Sequence, residues 1–93
     1  MDFEWDKTKR LANVAKHGID FVDAKQIWLG DMLEIRSSQD HHREPRYLAY
    51  GLMSNRLITV VFTWRGNNIR LISARRARHH ERKAYQNAFG RGT

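Results

Sequence analysis

One eight-residue stretch limits the possible folds more than any other. "LITVVFTW", residues 57–64, is apolar on both faces and rich in β-branched and aromatic residues. Such a run predicts a central strand that is buried on both sides. Turn signals flank it, "SNR" at 54–56 and "RGNN" at 65–68, and they indicate hairpins. We therefore expect antiparallel strands at residues 46–53, 57–64 and 69–74, since strands joined by tight turns are antiparallel neighbours.

The rest of the chain shows mostly helical patterns. Helices are predicted at residues 7–17, 21–29 and 77–89, the first two with Asp6 and Asp20 as N-caps. In the first helix, Leu11, Val14 and Ala15 form an apolar stripe that indicates a buried face. Short alternating segments, "DFEW" and residues 33–36, predict two further strands.

These elements define the expected fold class. The order is β-α-α-β-β-β-β-α, and we expect one α+β domain over residues 1–93 with a tail at 90–93. The sheet is predicted to be an antiparallel meander. Two N-terminal helices would cover one face of it in a two-layer arrangement, and one C-terminal helix would follow.

Composition narrows the possible partners. The net charge is +7 and the sequence pI is about 10.4, which indicates a polyanionic partner, nucleic acid first and an acidic protein second. There is no cysteine, which excludes disulfides, thiolate metal sites and a cysteine nucleophile. No His pattern suits a metal, so we expect neither metal nor cofactor. Signal-peptide and membrane-span patterns are also absent, so we expect a cytoplasmic protein without membrane contact.

A block of cations lies where a strand should give way to the last helix. Arg75 and Arg76 directly precede the predicted helix and Arg78 lies in its first turn, at a helix N-terminus that is a ready site for a phosphate. No Asp or Glu occurs from residue 69 to residue 80. The alternatives are a solvated basic turn, or an ion pair between Arg75 and a distant carboxylate such as Glu44.

The last helix also carries groups capable of proton transfer. Glu81 and Tyr85 share a face at i, i+4; Glu81 could act as a base or orient Arg75, and Tyr85 could stack on a base or donate a proton. The alternatives are an ordinary first-turn acid and packing against Phe89. His79 and His80 point about 100° apart, so only one can face a pocket.

Further cations are weaker candidates for RNA contacts. His17, Arg65 and Arg70 could each bind RNA, and Arg46 begins a predicted strand. Simple explanations compete for the first three: a helix-dipole contact, an exposed turn and an edge charge, respectively. The loop pair His41 and His42 could supply an imidazole or could merely be exposed.

Three segments in order resemble one family. "FEWDKTKRLANVAKHGIDF" (3–21), "EPRYLAYG" (44–51) and "IRLISARRARHHERKAY" (69–85) are similar to the beginning, middle and end of BrnT toxins. The resemblance implies a RelE-like fold and the ribonuclease toxin of a type II toxin–antitoxin system, cleaving RNA without a metal. It also implies neutralisation by an antitoxin, BrnA, whose ribbon-helix-helix part binds operator DNA. The matched positions with possible site roles are His17, Arg46, Arg75, Glu81 and Tyr85.

We therefore interpret the chain as a metal-independent endoribonuclease toxin. Arg75 and Arg76 would hold the scissile phosphate and Arg46 would stabilise developing charge. Glu81 or a histidine would transfer the proton, and Tyr85 would position a base. Two other hypotheses stay open: a non-catalytic nucleic-acid-binding module, such as a decayed toxin, and a module whose basic face serves only an acidic antitoxin.

Overall fold

The computed structural model describes residues 2–38 and 44–90. Within them lie five strands and three helices in the predicted order, with the second helix continuing as a 3-10 segment, Lys25–Leu29. The strands are β1 (Phe3–Trp5), β2 (Met32–Arg36), β3 (Tyr47–Met53), β4 (Arg56–Arg65) and β5 (Asn68–Arg76). The helices are α1 (Lys7–His17), α2 (Phe21–Ala24) and α3 (His79–Phe89).

The five strands form one mixed sheet in the order β1-β5-β4-β3-β2. The tight turns correctly predicted that β3, β4 and β5 are antiparallel neighbours, and β2 pairs antiparallel with β3 as well. β1, however, pairs parallel with β5, matching Phe3 with Ile69. The expectation of a purely antiparallel sheet is therefore wrong, because no turn ties β1 to a neighbouring strand and two helices separate it from the meander.

Helices cover both faces of the sheet, so the two-layer arrangement we expected is wrong as well. On one face, Phe21 and Ile27 pack with Ala49 and other core residues. On the other, Tyr85 of α3 packs with Tyr50. Ala49 and Tyr50 are adjacent in β3, and neighbouring strand residues point to opposite faces. α3 thus forms a third layer, on the side away from α2.

α1 contacts the sheet with a polar residue rather than with its apolar stripe. Leu11 is 60% exposed and Val14 is 41% exposed, contrary to the periodicity-based expectation. Asn13 is buried instead, and its side-chain amide bonds both backbone groups of Ala74: Nδ2 donates to the carbonyl at 2.9 Å and Oδ1 accepts from the N–H at 3.0 Å. The amide therefore acts like one residue of a neighbouring strand, at the part of β5 that β1 does not reach.

Candidate active site

A β-bulge in β5 determines which side chains reach the α3 face. The cross-strand register passes from Phe62–Leu71 to Val61–Ser73 and skips Ile72. As a result, Ala74 joins Ile69 and Leu71 in the core of the opposite face, although regular alternation from Leu71 would turn it away. The same step turns Arg75 towards α3.

Arg75 and Glu81 form a bidentate ion pair on that face. Nη1 and Nη2 of Arg75 donate to the two carboxylate oxygens of Glu81 at 2.7 and 2.9 Å. Glu81 Oε1 also accepts from the Thr59 hydroxyl at 2.9 Å and the Arg78 N–H at 2.8 Å. Thr59 lies directly opposite Arg75 in the β4–β5 ladder. The carboxylate of Glu81 is thus held both by residues of the sheet and by the N-terminus of α3. It supplies the negative charge that is missing from residues 69–80.

The surroundings of Glu81 keep its carboxylate ionised. Its side chain is only 1% exposed, and this burial opposes ionisation. The hydrogen bonds from Arg75, Arg78 and Thr59 outweigh the burial and lower the pKa of Glu81 to about 2. The same contact raises the pKa of Arg75. A carboxylate with so low a pKa accepts protons poorly at neutral pH, so the geometry suits a residue that orients Arg75.

Because of this ion pair, we expect the folded protein to lose stability in acid. Between about pH 4.5 and pH 2 the unfolded chain binds a proton at Glu81 that the folded chain does not, so the free energy of unfolding falls as the pH falls. The pKa difference corresponds to about 3 kcal/mol. Urea unfolding from pH 5 to pH 3 measures the effect, and Glu81→Gln is expected to flatten the dependence. An equal slope in the Glu81→Gln variant and the parent chain would contradict this assignment.

The ion pair lies at the end of an open cleft of about 500 Å³. We call it the basic cleft; its charged or titratable lining residues in the described chain are Arg36, Arg46, Arg75, Arg78, His80 and Glu81. Four arginines and one glutamate are therefore among these lining residues. The bonds of Arg75 to described residues use three of its five N–H donors, so two remain for a ligand. The cleft is suited to a phosphate group.

The structure places Arg46, Arg75, Arg78 and His80 along the basic cleft, but it does not place Arg76 there. β5 extends to Arg76, two residues further than predicted, and α3 begins only at His79. Arg75 and Arg76 are therefore consecutive strand residues and point to opposite faces of the sheet. Arg76 and His79 are exposed and are not among the described lining of the basic cleft.

Tyr85 does not line the cleft either. Its side chain is 1% exposed, its hydroxyl donates to the Asp31 carbonyl at 3.2 Å, and its ring centroid lies 4.8 Å from that of Phe89. The expected stacking on an RNA base is incompatible with this burial. Helical spacing correctly placed Glu81 and Tyr85 on one face, but that face is the one that packs against the sheet.

The remaining candidates lie elsewhere. Arg65 contacts Glu44 at 3.4 Å in the exposed hairpin, and Arg70 contacts Glu4 of β1 at 2.8 Å. His17 is half-buried in a separate groove beside α1. His41 and His42 lie outside the described residues, as do residues 91–93 of the predicted tail.

Sequence reasoning missed Arg36 as a member of the site. Arg36 ends β2 and pairs with Tyr47, the residue after Arg46. The alternation Leu33, Glu34, Ile35, Arg36 showed a half-exposed strand but not which strand would be its neighbour. The register of β2 on β3 supplies that information, and it depends on a loop whose length does not define a turn type.

In the described chain, no group of three or more His, Asp or Glu residues is placed to hold a metal ion. None of the described helices is long and apolar enough to cross a membrane.

Comparison with known families completes the description of the site. The family model described as the ribonuclease toxin BrnT of type II toxin–antitoxin systems matches residues 5–81. This match spans more than four fifths of the chain. The chain belongs to the BrnT family. The matched segment contains every titratable residue of the basic cleft and ends at Glu81, so the BrnT match does not extend to Tyr85. A comparison with curated proteins gives no match.

Proposed function

We propose that this BrnT chain is a metal-independent endoribonuclease whose active site is the basic cleft. The observation that carries the proposal is the convergence of four arginines on one open cleft, with Arg75 held in a fixed orientation by Glu81. RNA cleavage without a metal needs positive charge at the reacting phosphate, and preorganised guanidinium groups supply it. We further propose that the α+β architecture is of the RelE-like kind.

The reaction we propose is attack by a ribose 2′-hydroxyl on the adjacent phosphorus. The 2′-O–P bond forms, the P–O5′ bond breaks, a base takes the 2′-hydroxyl proton and an acid protonates the leaving 5′-oxygen. Arg75 would bind the phosphate through its two remaining donors, and Arg46 would stabilise the charge that develops on the non-bridging oxygens.

For proton transfer we favour His80 over Glu81. His80 lines the basic cleft and is exposed, and a neutral imidazole has one ring nitrogen that donates a proton and one that accepts one. The carboxylate of Glu81 is instead bound by Arg75, Thr59 and the Arg78 N–H, and its pKa is about 2. We therefore assign Glu81 a positioning role: it fixes the guanidinium of Arg75.

The proposal includes an acidic BrnA-like antitoxin as the partner, acting in the bacterial cytoplasm. A protein that covers the basic cleft would exclude RNA, and opposite charge would accelerate its capture. Contact with operator DNA would be indirect, through a ribbon-helix-helix part of the antitoxin.

The test is RNA cleavage by purified, antitoxin-free protein in the presence of EDTA. The unmodified chain is expected to fragment RNA, and Arg46→Ala is expected to reduce kcat/KM by 10²- to 10³-fold, the usual loss when one charge-stabilising donor is removed. Arg65→Ala, which removes a guanidinium outside the cleft, is the matched control. RNA that stays intact with the unmodified chain contradicts the proposal, and retained RNA binding in that case would favour a non-catalytic module.

A further inference from the structure

A second basic groove lies between α1 and residues 72–73 of β5. We call it the α1 groove; its lining residues in the described chain are Lys9, Ala12, Asn13, Lys16, His17, Ile72 and Ser73. The five helix residues follow the spacing i, i+3, i+4, i+7, i+8, so they form one face of α1. Its volume is about 230 Å³.

The orientation of α1 gives this groove its charge. The helix turns Lys9, Lys16 and His17 towards the edge of β5 and leaves Leu11 and Val14 exposed, against the usual preference of an amphipathic helix. The bonds from Asn13 to Ala74 hold it in this orientation. None of the described lining residues is acidic, and within residues 2–38 and 44–90 neither lysine forms an ion pair.

The α1 groove and the basic cleft meet at the β5 bulge. Ile72 and Ser73 line both of them, and this part of β5 lies beyond the end of β1, which pairs only with residues 69–71. β1 therefore does not cover β5 at these two residues, and the two concave surfaces adjoin there. A chain of phosphates that enters the basic cleft can continue over the strand edge at Ser73.

We propose that the α1 groove binds the RNA backbone next to the cleavage site, with Lys9, Lys16 and His17 contacting phosphates that flank the scissile one. This inference rests on the proposed ribonuclease function and extends its substrate site. Lysines act as point charges, and none of the described residues that line the groove is an aromatic residue on which a base could stack. The groove therefore adds affinity without reading sequence.

The test is RNA binding by Lys9→Gln/Lys16→Gln, compared with Lys7→Gln/Lys83→Gln. The control removes the same charge from exposed lysines outside both concave surfaces. The probe is an RNA of about 12 nucleotides with 2′-O-methyl sugars, which lacks the attacking hydroxyl, so binding is measured whether or not the protein cleaves RNA. Loss of two phosphate contacts is expected to reduce the slope of log affinity against log salt by about 1.4.

If the Lys9/Lys16 variant and the parent chain bind the RNA equally at 1 M salt, this difference in slope makes the variant bind about 25-fold more weakly than the parent at 0.1 M salt. The control variant is expected to bind like the parent chain.

With unmodified RNA, the preference in kcat/KM for a 12-nucleotide over a three-nucleotide substrate should shrink only in the Lys9/Lys16 variant. Equal salt slopes in the two variants would overturn the inference, as would weaker binding of the antitoxin with RNA binding unchanged. A parent chain that binds the probe but cleaves no RNA contradicts the ribonuclease proposal alone.

Discussion

Arg75→Ala is expected to destabilise the fold and to abolish RNA cleavage together. The substitution leaves the Glu81 carboxylate, 1% exposed, without its bidentate partner. Breaking a buried ion pair by removing one member costs about 3–5 kcal/mol, a large share of the 5–15 kcal/mol typical of a native domain. Urea unfolding measures this loss. A change below about 1 kcal/mol would contradict the buried ion pair.

A double variant separates the structural role of the pair from the catalytic role proposed for Arg75. Arg75→Met/Glu81→Leu removes both charges and fills the space with apolar side chains of similar size, which is often tolerated in buried pairs. It is expected to recover about 2 kcal/mol relative to Arg75→Ala, although Thr59 and the Arg78 N–H lose an acceptor. It should still not cleave RNA, because the guanidinium proposed to bind the phosphate is missing. Cleavage restored along with stability would remove Arg75 from the mechanism.

The fold was largely predictable because its strongest signals are local. Tight turns fix antiparallel neighbours, and Asp N-caps with following glycines fix the ends of α1. The structure confirms α1 at Lys7–His17, with Gly18 in the left-handed conformation at φ 70°. What sequence periodicity could not supply was the face against which each element packs. The exposure of Leu11 follows from the contact of Asn13 with Ala74, and the third layer follows from the packing of Tyr85 of α3 with Tyr50.

The site was predictable in composition but not in geometry. The cationic segment and Glu81 were identified from residue types, yet one inserted residue in β5 decides which of them meet. Without the bulge at Ile72, alternation would place Arg75 on the face of Leu71 and Ile69, away from Glu81. The segment "IRLISARR" has no glycine to mark a bulge. The same alternation explains why Arg76 is outside the cleft. Arg75 and Arg76 both belong to β5, so their side chains point to opposite faces of the sheet.

The adjacent histidines allow a matched test of proton transfer. His80 lines the basic cleft, whereas His79, one position earlier in α3, is outside its described lining. His80→Gln is expected to reduce kcat by 10²- to 10⁴-fold, the usual contribution of a positioned acid or base.

His79→Gln makes the same chemical change about 100° away around the helix and is expected to leave kcat within about twofold of the parent chain. RNA cleavage across pH 5–9 checks both variants, with equal unfolding midpoints confirming that each is folded. If the two variants lose activity equally, the helix terminus as a whole matters rather than one imidazole. If neither does, neither imidazole transfers the proton, and the catalysis assigned to this helix terminus falls to charge stabilisation by Arg46 and Arg75.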